Sequence, residues 1–198
     1  MLGKIREKYE VLMRPVGKSL GNLGLKPNML TTLSLIVSVG AGLAYAHKEP
    51  LLGAAAVITS AIVDMLDGAV ARATQSSTRF GAVYDHVLDR YAEFFALIGI
   101  GIGGFSDWVW VMFCLFGMVM ASYTRAKAES VGGLKSCTVG IAERQEKLIL
   151  LLTGSILQPF IPGALLLAVI TVGLLSHVTV IQRLKYTFNQ SREVKVHV

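Results

Sequence analysis

The sequence is poor in charged residues and in cysteine. Only 16% of its 198 residues are Asp, Glu, Lys or Arg, whereas soluble domains have about 25%, and 53% are hydrophobic. Two cysteines, Cys114 and Cys137, are too few for a disulfide scaffold or a multi-cysteine zinc module. This composition excludes a disordered chain and argues against a water-soluble globule.

Long apolar runs predict an all-α integral membrane protein with six spans. A helix needs about 20 mostly apolar residues to cross ~30 Å of hydrocarbon. The runs are Met29–Ala46, Leu51–Val63, Phe94–Phe105 (continuing a helix that begins near Gly81), Trp108–Ser122, Leu148–Phe160 and Ala164–Ile181. We expect one membrane domain over 1–198, with a juxtamembrane segment at 1–26, a six-helix bundle at 27–186 and a cytoplasmic tail at 187–198.

The juxtamembrane segment predicts an amphipathic helix that lies in the membrane interface. Its apolar residues recur at helical spacing, at Leu2, Ile5, Tyr9, Leu12 and Met13. Charged residues lie between them, as in interfacial helices. Gly21 and Gly24 are expected to break this pattern before Pro27. A solvated helical tail is the alternative.

The basic residues are distributed asymmetrically about the predicted spans. All Lys and Arg except Lys48 fall in segments on one side, which the positive-inside rule assigns to the cytoplasm. This predicts a multi-pass protein of the cell membrane with both termini inside. A basic face beside anionic lipid head groups explains the net charge of +6 without nucleic acid.

Four carboxylates are concentrated at the cytoplasmic ends of spans two and three. Asp64 and Asp67 are three residues apart, and Asp85 and Asp89 are four apart, so each pair shares a helix face. If the two spans are antiparallel neighbours, both pairs point into one site. Clustered carboxylates repel one another, and one or two divalent cations would resolve the repulsion. Oxygen ligands favour Mg²⁺, Mn²⁺ or Ca²⁺ over zinc.

The alternative is a set of interfacial salt bridges, because Arg72, Arg79 and Arg90 lie in the same stretch. Gly68 follows an acid inside a helix, where a residue without a Cβ admits a ligand close to the backbone. Helix packing or a turn explains a single glycine equally well.

The whole stretch resembles the signature of the CDP-alcohol phosphotransferase family, D-x2-D-G-x2-A-R-x8-G-x3-D-x3-D. Asp64, Asp67, Gly68, Ala71, Arg72, Gly81, Asp85 and Asp89 match every fixed position at every spacing. The six-span layout, the amphipathic segment and Pro27-Asn28-x-x-Thr31 before span one are also similar to that family.

The resemblance implies an enzyme that transfers a phosphoryl-linked group from a CDP-alcohol to an acceptor hydroxyl and releases CMP. It assigns two Mg²⁺ or Mn²⁺ ions to Asp64, Asp67 and Asp85, with Asp89 as a further ligand and the general base. The CDP-lipid would contact Asn28, Thr31, Gly68, Ala71, Arg72 and Gly81. The family precedent is a homodimer among membrane lipids.

A second group of residues bears on the acceptor. Arg125, Lys127, Arg144 and Arg183 are expected at cytoplasmic helix ends, where guanidinium groups suit an acceptor that carries a phosphate. Positive-inside anchoring is the alternative for each. The order Tyr-x-Arg-Ala-Lys-Ala-Glu, then Gly-Ile-Ala-Glu-Arg, is similar to the branch that makes phosphatidylinositol phosphate or archaetidylinositol phosphate from 1D-myo-inositol 3-phosphate. That branch often has Lys and Arg at the positions of Arg125 and Lys127.

Two other functions compete with this interpretation. A transferase that accepts glycerophosphate would also need a basic acceptor pocket. An ion transporter would use intramembrane acids too, but it predicts acids at the midplane on several helices. The resemblance implies CDP-archaeol or CDP-diacylglycerol as the lipid substrate. Undifferentiated apolar helix faces suit either tail, and the similarity to shorter archaeal members of the family favours archaeol.

Overall fold

The computed structural model describes residues 13–191, and all regular secondary structure in that range is helical. Residues 13–22 form α1. The later helices are α2 (Pro27–Ala46), α3 (Pro50–Ala73), α4 (Arg79–Ile102), α5 (Trp108–Ser130), α6 (Arg144–Leu157) and α7 (Ala164–Ser191). The all-α prediction is confirmed for the described residues.

Four of these helices, α2, α3, α5 and α7, are long and apolar enough to cross a membrane. The third predicted span lies in α4, whose first half carries several charged side chains. The fifth lies in α6, which has 14 residues and is therefore about 21 Å long at 1.5 Å per residue. Helix α7 continues to Ser191, beyond the predicted end of the bundle at 186.

The predicted break at Gly21 is wrong, because α1 continues through that residue. A Cβ on Gly17 would collide with the Ala69 carbonyl, and one on Gly21 would collide with the Thr74 side chain. Glycine at these two positions lets α1 pack directly on α3. The predicted interfacial residues Leu2, Ile5, Tyr9 and Leu12 lie outside the described residues.

The described residues up to Gly99 form one compact unit, which we call the N-terminal unit. Its helices α2 and α3 form an antiparallel hairpin that is joined by residues 47–49. Between them, the Ser60 hydroxyl lies 2.7 Å from that of Ser38 and 3.1 Å from that of Ser34, and all three serines are buried. At the other side of α2, a Cβ on Gly99 would collide with the Gly42 carbonyl, so α2 and α4 approach at backbone distance.

The residues from Ile100 onward form a second compact unit, the C-terminal unit, which contains α5, α6 and α7. Glycines again set the helix contacts, since a Cβ on Gly117 would lie 2.9 Å from the His177 ring and one on Gly173 would lie 2.8 Å from Phe113. The rings of His177 and Phe113 stack with centroids 4.3 Å apart. Residues 131–143 connect α5 to α6 without regular structure.

Apolar side chains cover much of the outer surface of the helices. On α2, large side chains at helical spacing are exposed, at Met29, Leu33, Ile36 and Leu43. Exposure of such a surface to water is unfavourable, whereas its contact with the hydrocarbon of a bilayer is favourable.

Candidate metal and nucleotide site

The acid-bearing ends of α3 and α4 are joined by five residues that reverse the chain. Gln75 adopts a left-handed φ of 53° in this turn. The Thr78 hydroxyl then accepts the Gly81 backbone N–H at 2.9 Å, which satisfies one of the free N–H groups at the start of α4. The chain therefore returns along α3 and brings Asp85, in the second turn of α4, beside the end of α3.

Three of the predicted metal ligands lie together in the N-terminal unit. Carboxylate oxygens of Asp64, Asp67 and Asp85 lie within 4.8 Å of one another. A second group, formed by Asp85, His86 and Asp89, meets the same distance limit. Asp85 belongs to both groups, so the arrangement offers two adjoining sets of ligand atoms that share one carboxylate.

Two of these carboxylates are enclosed by protein. Asp67 is 9% exposed and Asp89 is 5% exposed. The Thr31 hydroxyl of α2 donates to Asp67 Oδ2 at 2.5 Å and fixes the orientation of that carboxylate. Asp64 and Asp85 are partly exposed, which leaves the cluster open on one side.

The donor set fits a hard divalent cation. Two unit charges 4.8 Å apart repel by roughly 3.5 kcal/mol at an effective dielectric constant of about 20. Three carboxylates at this separation therefore favour the binding of a cation between them. Carboxylate oxygens are ligands of Mg²⁺ and Mn²⁺, whereas structural zinc sites use Cys and His.

A cavity of about 130 Å³ opens beside the acids. Its walls include five of the six residues predicted to bind a CDP-lipid, Asn28, Thr31, Gly68, Ala71 and Gly81, together with Asp67 and Asp85. A Cβ on Gly81 would lie 3.0 Å from Thr78 Oγ1 and 3.3 Å from Asn28 Oδ1. The missing side chain at Gly81 therefore keeps this part of the cavity open.

Arg72, the sixth predicted residue, lies beside the cavity wall, where its Nη1 atom is 3.0 Å from the position of a Cβ on Gly68. Arg90 contacts acids of its own helix, with Nη2 3.9 Å from Asp89 Oδ2 and Nη1 2.8 Å from Glu93 Oε2. The alternative of interfacial salt bridges thus applies to Asp89, in part, through Arg90.

Sequence reasoning missed several residues of this site. His86 occupies a variable position of the signature, so the sequence gave no reason to select it. In the structure its side chain is 80% exposed. Ser76, Ser77 and Thr78 line the cavity from the α3–α4 turn. Three consecutive hydroxyl residues between the two halves of an acidic motif were the available signal.

The predicted acceptor residues all lie in the C-terminal unit. Arg183 is 7% exposed and donates to the backbone carbonyls of Ala121 at 2.6 Å and Val139 at 2.9 Å. Arg125 pairs with Glu129 at 3.0 Å, and the Lys127 ammonium lies over the Tyr123 ring at 5.6 Å. Arg144 is the first residue of α6.

Glu129 is a further constituent of this basic region. Its Oε1 atom accepts the Arg125 Nε–H at 3.0 Å and the Cys137 backbone N–H at 2.9 Å. The carboxylates of Glu129 and Glu143 attract the Arg183 guanidinium, whereas the Arg125 guanidinium repels it. The cluster is therefore a mixed network of guanidinium and carboxylate groups in which Glu129 and Arg183 tie residues 131–143 to α5 and α7.

Known proteins resemble this chain over most of its length. Residues 25–182 match the model of the CDP-alcohol phosphatidyltransferase family. The chain is 35% identical to archaetidylinositol phosphate synthase of Pyrococcus horikoshii, over 92% of this chain and 94% of that protein.

Solved structures give the same relationship. The chain is similar to phosphatidylinositol phosphate synthase of Mycobacterium tuberculosis with CDP-DAG bound (TM-score 0.84, 29% identity, 94% of this chain and 98% of that one). It is also similar to that synthase in complex with manganese and citrate (TM-score 0.81, 31% identity, 89% of this chain and 88% of that one).

Proposed function

The chain belongs to the CDP-alcohol phosphatidyltransferase family, and we propose that it transfers the phosphatidyl or archaetidyl group of a CDP-linked lipid to an inositol phosphate. CMP is the second product. The observation that carries this proposal is the close approach of Asp64, Asp67 and Asp85 beside a cavity lined by the other signature residues. The names of the similar synthases support the choice of acceptor.

Asp64, Asp67 and Asp85 would hold one divalent ion, and Asp85 and Asp89 a second. Mg²⁺ is our choice because it is the usual partner of phosphates, and Mn²⁺ is the alternative, which the manganese complex of a similar synthase supports. Two such ions would supply positive charge to the pyrophosphate and to the leaving oxygen of CMP. The cavity residues Asn28, Thr31, Gly68, Ala71 and Gly81, with Arg72, bind the cytidine nucleotide.

The reaction is a displacement at the lipid-bearing phosphorus. The acceptor hydroxyl oxygen forms a bond to this phosphorus, and the bond from phosphorus to the oxygen of CMP breaks. The hydroxyl proton passes to the carboxylate of Asp89, whose buried position beside Asp85 keeps it in reach of the reacting groups. Asp89 is thus both a ligand and the general base.

The basic residues Arg125, Lys127, Arg144 and Arg183 bind the acceptor phosphate. The two carbonyl bonds of Arg183 engage two of the five N–H groups of a guanidinium, so donors remain for a phosphate. Glycerophosphate, which carries the same phosphate group, is the alternative acceptor.

We further propose that the chain forms one membrane domain with six spans, in which α4 and α6 also cross, and that α1 lies in the membrane interface. Both termini and the active site face the cytoplasm. The protein acts as a homodimer, which cross-linking in native membranes would test.

The deciding experiment measures CMP release from CDP-archaeol and from CDP-diacylglycerol with Mg²⁺ and a panel of acceptors. We expect release with inositol phosphate and little with inositol or glycerophosphate. CMP release with glycerophosphate alone would show that glycerophosphate is the acceptor, and the family's reaction would still apply. If no acceptor supports release, the proposed function is wrong.

Variants of the basic cluster test the acceptor phosphate. A charge-assisted hydrogen bond contributes about 1.5–3 kcal/mol, so Arg125→Ala and Arg144→Ala should each raise the KM for inositol phosphate by roughly 10- to 150-fold. The KM for the CDP-lipid should stay constant. Lys185→Ala, which removes an exposed charge near the end of α7, is the control. If all three variants had the same KM for inositol phosphate, Arg125 and Arg144 would be membrane anchors only.

A further inference from the structure

The second turn of α2 carries two consecutive threonines that contact different helices. Thr31 donates to Asp67 on α3, as described above. The Thr32 hydroxyl lies 2.9 Å from the Tyr84 hydroxyl on α4. Consecutive residues of an α-helix point about 100° apart, so a single turn of α2 contacts both of the helices that carry the acids.

The direction of the second contact follows from the number of protons. The Thr32 hydroxyl has one proton and lies 2.8 Å from the Asn28 carbonyl oxygen, which can only accept. Thr32 therefore donates to Asn28 and accepts from Tyr84. The result is a continuous chain from the Tyr84 hydroxyl through Thr32 to the backbone of Asn28, a residue of the cavity wall.

Tyr84 immediately precedes Asp85, the carboxylate that both ligand groups share. Its ring is also held from one side, because Phe80, one turn earlier, stacks on it with centroids 5.7 Å apart. A bond that fixes the Tyr84 hydroxyl to α2 therefore fixes the turn of α4 that carries Asp85.

We propose that Thr32 and Tyr84 are positioning residues of the metal site. They hold the Asp85 turn of α4 against α2, while Thr31 holds Asp67 of α3 against the same turn of α2. The two bonds together keep the mutually repelling carboxylates at the separation at which they share a cation. This role rests on the proposed function for its catalytic meaning, but it can be measured on metal binding alone.

The test is the affinity of the purified protein for Mn²⁺ in detergent, without CDP-lipid, measured by the EPR signal of free Mn²⁺. A neutral hydrogen bond contributes about 0.5–1.5 kcal/mol, so Thr32→Val and Tyr84→Phe should each weaken Mn²⁺ binding by roughly 2- to 13-fold. The double variant should be no weaker than the weaker single variant, because both substitutions remove the same bond.

Two further variants separate positioning from a general loss of a hydroxyl. Thr32→Ser keeps the hydroxyl, so its affinity for Mn²⁺ should equal that of the wild-type protein. Thr59→Val removes an exposed hydroxyl of α3 that bonds to the Ala55 carbonyl of its own helix, and its affinity should be unchanged. In CMP-release assays, Thr32→Val should need more Mg²⁺ for half-maximal rate and should recover most of its turnover at saturating Mg²⁺.

Unchanged Mn²⁺ affinity in both Thr32→Val and Tyr84→Phe would overturn the proposal, and so would fully additive effects in the double variant. A lower thermal midpoint of the metal-free variants with unchanged affinity would make the pair a structural contact only. Absence of CMP release from the wild-type protein would instead count against the proposed function, and the Mn²⁺ comparison would still hold.

Discussion

Asp67 combines burial, a hydrogen bond from Thr31 and two neighbouring carboxylates in one side chain. Asparagine has the same shape without the charge. We expect Asp64→Asn, Asp67→Asn and Asp85→Asn each to lower CMP release by at least roughly 100-fold, because several kcal/mol of transition-state stabilisation would be lost.

The matched control for these substitutions is Asp107→Asn, which changes an exposed acid before α5. Its rate should equal that of the wild-type protein. Near-normal rates in two of the three site variants would contradict the assignment of two metals. Removal of divalent ions with a chelator should stop the wild-type reaction, and added Mg²⁺ or Mn²⁺ should restore it.

Gly81 lets us test the cavity without touching a charged group. A Cβ there would press on Thr78 and Asn28, and forced repacking costs about 1–3 kcal/mol. Gly81→Ala should therefore raise the KM for the CDP-lipid by roughly 5- to 150-fold and leave the KM for the acceptor unchanged. Gly40→Ala on α2 is the control, because a Cβ at Gly40 meets no atom within 4 Å. An unchanged KM for the CDP-lipid in Gly81→Ala would mean that the nucleotide does not bind in this cavity.

The grouping of the acids into pairs was predictable because it depends only on their spacing along single helices. Asp64 with Asp67, and Asp85 with Asp89, share faces whatever the rest of the fold does. The contact between Thr31 and Asp67 joins residues 36 positions apart, and such partners leave no periodic pattern in the sequence. The carbonyl partners of Arg183 were hidden for the same reason, so its charge was visible but its backbone contacts were not.

Among the helices, sequence predicted the starts better than the close contacts. The predicted spans begin at Met29 and Leu51, within two residues of the starts of α2 at Pro27 and α3 at Pro50. Both prolines occupy a first helical position, where proline is favoured. Gly21 looked like a helix breaker because glycine has low helix propensity. Its contact with Thr74 of α3 outweighs that propensity, and no local pattern distinguishes the two uses of glycine.

Within segment 131–143, the Glu129 side chain of α5 holds the backbone of Cys137. Removing this acceptor leaves the Cys137 N–H unpaired in a buried position, at a cost of about 1–3 kcal/mol. Glu129→Ala should therefore expose the buried Cys137 thiol and speed its reaction with a membrane-permeant maleimide by about tenfold or more. Glu129→Gln, which keeps an oxygen acceptor, should change the rate much less.

Cys114, buried within α5, provides the reference in the same molecule, and its reactivity should not change. Equal acceleration at both cysteines would indicate general unfolding of the C-terminal unit. No acceleration at Cys137 would mean that Glu129 does not hold the segment.

For the whole chain, the asymmetry of Lys and Arg predicts one topology that labelling can test. Lys48 lies in the turn between α2 and α3, and Lys135 lies between α5 and α6. In a Cys114→Ser, Cys137→Ser background, cysteines at positions 48 and 135 should react with an impermeant reagent from opposite sides of the membrane. Labelling of both from the same side would contradict the six-span model.

The serine cluster between α2 and α3 has a consequence for biosynthesis. Hydrocarbon offers no partner to a hydroxyl, and Ser60 of α3 finds its partners on α2, in the Ser38 hydroxyl and the Ser34 carbonyl. The two helices are therefore best accommodated when they enter the bilayer already paired. The short turn at 47–49 favours such a concerted insertion. The bond from Thr31 to Asp67 joins the same two helices. We therefore expect half of the carboxylate site to form before the ribosome has completed α4, and Asp85 and Tyr84 to complete it when α4 is added.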